Sequence, residues 1–173
     1  FGLRRLKRWW SVPLVLPQAL LGVVAILAIG AGTALAGEAL GFWTTEGTSA
    51  GVEARWGDIE GNLPVYLIWM AIGWTSAAFG EEIFFRGYLI DRIGKLLPSA
   101  RWATAVAVFI PALIFGIAHA YYQGVRGLIV TGLIGLALGT LYLVNKRNLW
   151  PNIIAHGVVD SLAFTAMYLD LDI

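Results

Sequence analysis

The chain has no cysteine, so neither a disulfide nor a thiolate metal ligand can contribute to its structure or chemistry. Charge is scarce as well. Asp, Glu, Lys and Arg make up 13% of the 173 residues, where a soluble domain carries about 25%. A chain this short of charge cannot cover its own surface in water. Its formal net charge is only +1, and no basic patch with interleaved aromatics occurs, so nucleic acid is not expected as a partner. Histidine appears only twice, and the HExxH helix of zinc peptidases is missing. Apolar residues fill the rest: 58% of the chain is hydrophobic, with a mean hydropathy of +0.74. That composition belongs to a membrane protein.

Five apolar spans are legible: Pro13 to Ala36, Leu63 to about Ile83 with a pattern that could run on to Ile93, Trp102 to Tyr122, Leu128 to Val144, and Trp150 to Leu169. Each is close to the roughly 20 residues a helix needs to cross hydrocarbon. The expected fold is therefore all-α, a polytopic transmembrane bundle of about five helices. Residues 1–62 read as an N-terminal transmembrane helix followed by an acidic loop outside the hydrocarbon, and residues 63–173 as the core. Gly127, Gly132, Gly135 and Gly139 form a small-residue run suited to close helix packing. Arg4 to Arg8 ahead of Ala34-Leu35-Ala36 also suits a cleavable signal peptide, but the apolar run between them is longer than a signal peptide uses.

The basic residues orient the bundle. With a cytoplasmic N-terminus, Arg4, Arg5, Lys7, Arg8, Arg92, Lys95, Arg101, Lys146 and Arg147 all fall inside, and only Arg55 and Arg126 fall outside. Trp9, Trp10, Trp43, Trp102 and Trp150 lie near span ends, as an aromatic belt requires. The expectation is an integral, multi-pass protein of a bacterial-type plasma membrane.

Against that background the ionisable residues inside the spans stand out, since each costs several kcal/mol in hydrocarbon and usually marks a cavity, an ion path or an active site. Glu81 and Glu82 are adjacent, with Arg86 four residues on. His119 and His156 lie in equally apolar surroundings, and Asp160 follows His156 by four. Residues four apart share a helix face. Glu82 thus meets Arg86, Phe115 meets His119, and His156 meets Asp160. Glu81 lies about 100° round the helix from Glu82, so the two carboxylates point different ways. The economical division pairs one with Arg86 and turns the other into the cavity as a general acid or base. The plainer readings are an interhelical ion-pair network for the glutamates and arginine, and hydrogen-bonded packing for the histidines. A proton or ion carrier would instead need these groups strung across the whole bilayer.

Taken in order, Glu81-Glu82-x-x-x-Arg86, Phe115-x-x-x-His119 and His156-x-x-x-Asp160 resemble the three motifs of the CAAX-protease and bacteriocin-processing (CPBP, or Abi) family. The resemblance covers about Leu63 to Leu169. It implies an intramembrane endopeptidase acting on a membrane-associated peptide or protein. It makes Glu81 the catalytic glutamate, His119 its partner in activating water, and Glu82 and Arg86 their supports. His156 and Asp160 then stabilise the oxyanion or, in an older view, ligate a metal. Prenyl-CAAX processing members carry Asn where this chain has Asp160. Ionised Asp only accepts hydrogen bonds, so the substitution bears on the oxyanion role.

No cofactor is expected. Zinc held by His119, His156 and Asp160, with water in a fourth position, is the metal alternative. The non-catalytic alternative is a scaffold or accessory subunit among other membrane subunits. A shared site also raises a problem of depth. His119 lies 18 residues past Arg101 and His156 only 7 past Leu149, a difference of about 16 Å along two helices entering from the same face. A bend at Pro111, or a stretch from Arg101 to about Val108 lying on the interface, would remove it.

Overall fold

A computed structural model describes residues 2–3, 12–44, 50–97 and 102–171. Arg4, Arg5, Lys7, Arg8, Trp9, Trp10, Arg101 and Asp172 lie outside the described residues, so the expectations placed on them are not addressed. The chain is an all-α membrane bundle. Its elements are α1 (Val12–Ala39), α2 (Ala50–Trp56) with a 3-10 turn at Gly57–Ile59, α3 (Leu63–Ile72), a π-type segment (Gly73–Leu89), α4 (Ile90–Leu96), α5 (Ala103–Val144) and α6 (Trp150–Tyr168). Three continuous helical stretches are long and apolar enough to cross a membrane: Pro13–Ala39, Leu63–Leu96 and Ala103–Val144.

The third of these is two spans. Inside α5 only Gly124 leaves helical dihedrals, with φ +62° and ψ −154°. Beyond it the chain runs back along itself. A Cβ on Gly116 would meet the Leu128 carbonyl and Gly132, one on Gly135 would meet Ala112, and one on Gly139 would meet Val108. The two arms are therefore antiparallel, and three of the four glycines singled out by the sequence let their backbones touch. Gly127 instead faces its own Gln123 side chain. α6 is long enough at 19 residues, but Asn152, His156, Asp160 and Ser161 make it the least apolar of the long helices.

The second span runs on past Ile83, as its pattern allowed, as a single helical stretch from Leu63 to Leu96. Asn62 starts it: its side chain accepts from the Val65 amide, and Pro64 occupies a first-turn position where a missing N–H costs nothing. Its middle, Gly73–Leu89, takes the wider π-type turns that are uncommon and concentrate at functional sites. The acidic connection after α1 is partly helical. Trp56 in it packs edge-on to Trp69 and Tyr122, at 5.9 and 5.2 Å between ring centroids, which ties the connection to the bundle end near the α5 hairpin.

α1 leans on α6 and α5. Its Ile26 joins Leu138 and Ala155 in one buried cluster, and a Cβ on Gly22 would collide with Ala155. The opposite face presents Leu14, Leu20, Leu27 and Leu35 outward. A helix apolar on its outer face as well as its inner one is solvated by lipid, not water. The chain is an integral membrane protein.

The packing of α5 against α6 bears on the depth difference. No dihedral departs from helical at Pro111, and the arm is helical from Ala103 onward. Ala107 and Val108 pack in the same cluster as Leu149 and Ile153. The first turns of α5 thus stand beyond the level at which α6 begins, which reduces the expected offset. Pro111 lies within the helical arm, and the sharp break is at Gly124, where a positive φ is free of Cβ strain.

Candidate active site

The polar centre is assembled from the π-type segment, the first arm of α5, and α6. Glu82 is completely buried, and Arg86 and Asn152 nearly so. Arg86 Nη1 donates to Glu82 Oε1 at 2.7 Å, the i,i+4 pair expected from the sequence. Four residues make slightly more than one α turn and slightly less than one π turn, so the pair survives the change of helix type. Asn152 Nδ2 donates to Glu82 Oε2 at 3.2 Å and to the Leu138 carbonyl at 2.8 Å. His156 Nδ1 lies 3.1 Å from Glu82 Oε1. A carboxylate paired with arginine is an acceptor, so Nδ1 carries the proton and donates. Nε2 of the same ring then faces Asp160 Oδ2 at 3.7 Å.

The other half is less tightly bound. Glu81 is half-buried, and its Oε2 is buried without a partner among protein atoms. It lies within Coulombic reach of His156, Asp160 and Arg86. His119 Nδ1 donates to the Phe115 carbonyl at 2.8 Å, because a carbonyl can only accept. That fixes the tautomer and leaves Nε2 as an acceptor. The Phe115 ring separates the two histidines, with centroid distances of 4.5 Å to His119 and 6.3 Å to His156. The sum of these bounds the separation of the imidazoles, and is small enough for one peptide bond and one water to lie between them. Phe115 also carries the Arg86 guanidinium over its face at 4.7 Å, so it packs the site as expected and holds its cation too.

All six candidate residues are therefore brought together: Glu82 and Arg86 buried, and Glu81, His119, His156 and Asp160 partly exposed around them. Two glycines permit the approach. A Cβ on Gly157 would lie 2.6 Å from Trp74, and one on Gly73 would lie 3.0 Å from Phe164 and 3.6 Å from Asp160 Cβ. Trp74, expected in the core or facing lipid, closes this seam by donating to Ser161 Oγ at 3.0 Å. Above His119 stand Tyr122, at 5.6 Å between rings, and then Trp56. Arg55 spreads over this aromatic end and donates to the Tyr121 hydroxyl. Asp58 and Arg126 are exposed, as solvated charges should be, but they lie in the 3-10 turn and in α5 and not in loops.

Sequence reasoning missed Asn152. A signal was present: Asn152, His156 and Asp160 recur every four residues and form one polar stripe on α6.

A family model described as type II CAAX prenyl endopeptidase Rce1-like matches residues 63–162. That stretch is more than half of the chain and contains all three motifs. The chain belongs to this family. No curated protein and no solved structure matches it. Rce1-like membership makes the chain a membrane protease, agrees with the resemblance drawn from the motifs, and leaves α1 and α2 outside the matched region.

The metal expectation for His119, His156 and Asp160 finds no support in the side-chain arrangement. Among the described residues no group of three His, Asp or Glu side chains converges as ligands would. His119 Nδ1 is held by the Phe115 carbonyl and His156 Nδ1 by Glu82, so each ring has only Nε2 left for a further partner.

Proposed function

We propose that this chain is an intramembrane endopeptidase that hydrolyses a peptide bond near the end of a membrane-associated, prenylated CAAX-type substrate, using water activated by Glu81 and His119. The observation that carries the reading is the unequal use of two adjacent carboxylates. Glu82 has both oxygens committed to Arg86, His156 and Asn152, whereas Glu81 keeps an oxygen without a partner among protein atoms. A general base needs a free lone pair within reach of water, and only Glu81 offers one. His119 Nε2 supplies the second acceptor. A water donating one hydrogen to each turns its oxygen lone pair outward to the scissile carbonyl.

As Glu81 takes the proton, the carbonyl oxygen gains negative charge, and His156 and Asp160 face it. His156 donates its Nδ1–H to Glu82, so a donor to the oxyanion requires one added proton, carried either on Nε2 or on Asp160 Oδ2. Collapse of the tetrahedral intermediate passes the proton from Glu81 to the leaving amine. No step is routed through a metal ion. A cytoplasmic N-terminus, which the distribution of basic residues in the sequence supports, belongs to this reading.

The test is hydrolysis of a farnesylated, internally quenched CAAX peptide by protein in liposomes. Wild-type protein should cleave it and Glu81→Gln should not. Equal cleavage by both would remove the chemistry from this site, and no cleavage by either would favour the scaffold reading. Asp160→Asn decides the role of the last motif. An amide supplies an N–H donor without an added proton, so activity should be kept or raised and zinc content should be negligible in both proteins. About one equivalent of zinc in the wild type, lost in the Asn variant, would establish the metal reading instead.

A further inference from the structure

Asn152 is the one member of the buried cluster that none of the three motifs contains. Its side chain is 1% exposed, and its amide nitrogen has two acceptors on two other elements: Glu82 Oε2 on the π-type segment and the Leu138 carbonyl on the second arm of α5. An amide has two N–H groups, and both are used. Placing so polar a side chain in the centre of a membrane bundle costs several kcal/mol unless those bonds are made. Packing alone does not call for asparagine here, since Ile153 and Ala155 fill neighbouring buried positions with carbon.

The effect of the amide passes through Glu82. That carboxylate has two faces to satisfy. Oε1 accepts from Arg86 and His156, and Oε2 accepts from Asn152. With Oε2 tethered, the carboxylate cannot rotate away from His156, and Nδ1 stays the protonated nitrogen. Nε2 is then presented to Asp160 and the cavity.

We propose that Asn152 is a positioning residue that sets the tautomer and ring orientation of His156 by holding the second oxygen of Glu82. The inference uses the peptidase reading for its rate measurement only. Its structural part stands on the hydrogen-bond chain.

The experiment exploits the chain's two histidines. Protein labelled with 15N-histidine, in nanodiscs, gives ring signals for His119 and His156 alone, assigned with His119→Ala. In the wild type both rings should show a single Nδ1–H tautomer. In Asn152→Leu, which removes the donor at similar volume, the His156 ring should become a mixture of tautomers, while His119, held by the Phe115 carbonyl, should not move. Cleavage of the farnesylated peptide should fall about 10- to 100-fold in kcat with little change in KM, the loss typical of a misplaced reacting group. If Asn152→Leu does not fold, Asn152→Ala removes the same donor without adding bulk and carries the same comparison. An unchanged His156 spectrum in a folded variant overturns the proposal, whatever happens to the rate. A wild-type protein that cleaves nothing sinks the peptidase reading, and the spectra still decide the role of Asn152.

Discussion

The two halves of the polar centre are built from the same residue types and are treated in opposite ways. In the Glu82 half, carboxylate, guanidinium and amide are buried and joined with the His156 imidazole by hydrogen bonds of 2.7 to 3.2 Å, and Arg86 Nη2 alone is left without a partner among protein atoms. In the Glu81 half, the carboxylate has an oxygen without a partner, and His119 spends one nitrogen on its own helix backbone. A network that joins three helical elements through Glu82 holds them in register, because losing Arg86 strands a buried carboxylate. An unsatisfied group does the reverse, keeping capacity for water and substrate. Adjacent positions in the chain can take these opposite parts because a helix turns neighbouring side chains by about 100°.

The comparison breaks most visibly if the two glutamates prove interchangeable. Glu81→Gln and His119→Ala should each lower cleavage by about 10²- to 10⁴-fold while leaving the thermal transition in detergent close to wild type. Next in size is damage to the saturated half. Arg86→Ala leaves the Glu82 carboxylate buried without its cation, a loss of about 3–5 kcal/mol, read as lower expression and an earlier transition. A variant with normal stability and lost activity would move Arg86 to the reactive half. The smallest effect lies away from both. Gly135→Val places a side chain where even a Cβ is 3.0 Å from Ala112, so the hairpin arms should separate at about 1–3 kcal/mol. Its activity, measured below the new transition, should change less than in either glutamate-centred variant.

Much of the site was legible before any coordinates. Apolar spans exposed six ionisable residues by contrast, and spacing of four paired Glu82 with Arg86 and His156 with Asp160 correctly, since such pairs depend only on local helix geometry. Spacing assigned Glu82 to Arg86, but the further partners of Glu82, Asn152 and His156, were not legible, because they lie on another helix. Asn152 itself was invisible as part of the site because an asparagine near a helix start reads as ordinary until its acceptors are known.

What the sequence by itself determined is the solvent, the class and the local pairs: scarce charge and long apolar runs require lipid, and periodicity requires helices. Only the tertiary structure decided the rest. Gly124, not Pro111, carries the sharp break in α5, because its partner surface is the other arm. The level of α5 against α6 was likewise set by packing across helices. Residues distant in the chain choose each other through burial and hydrogen-bond geometry, and no pattern within one helix contains that information.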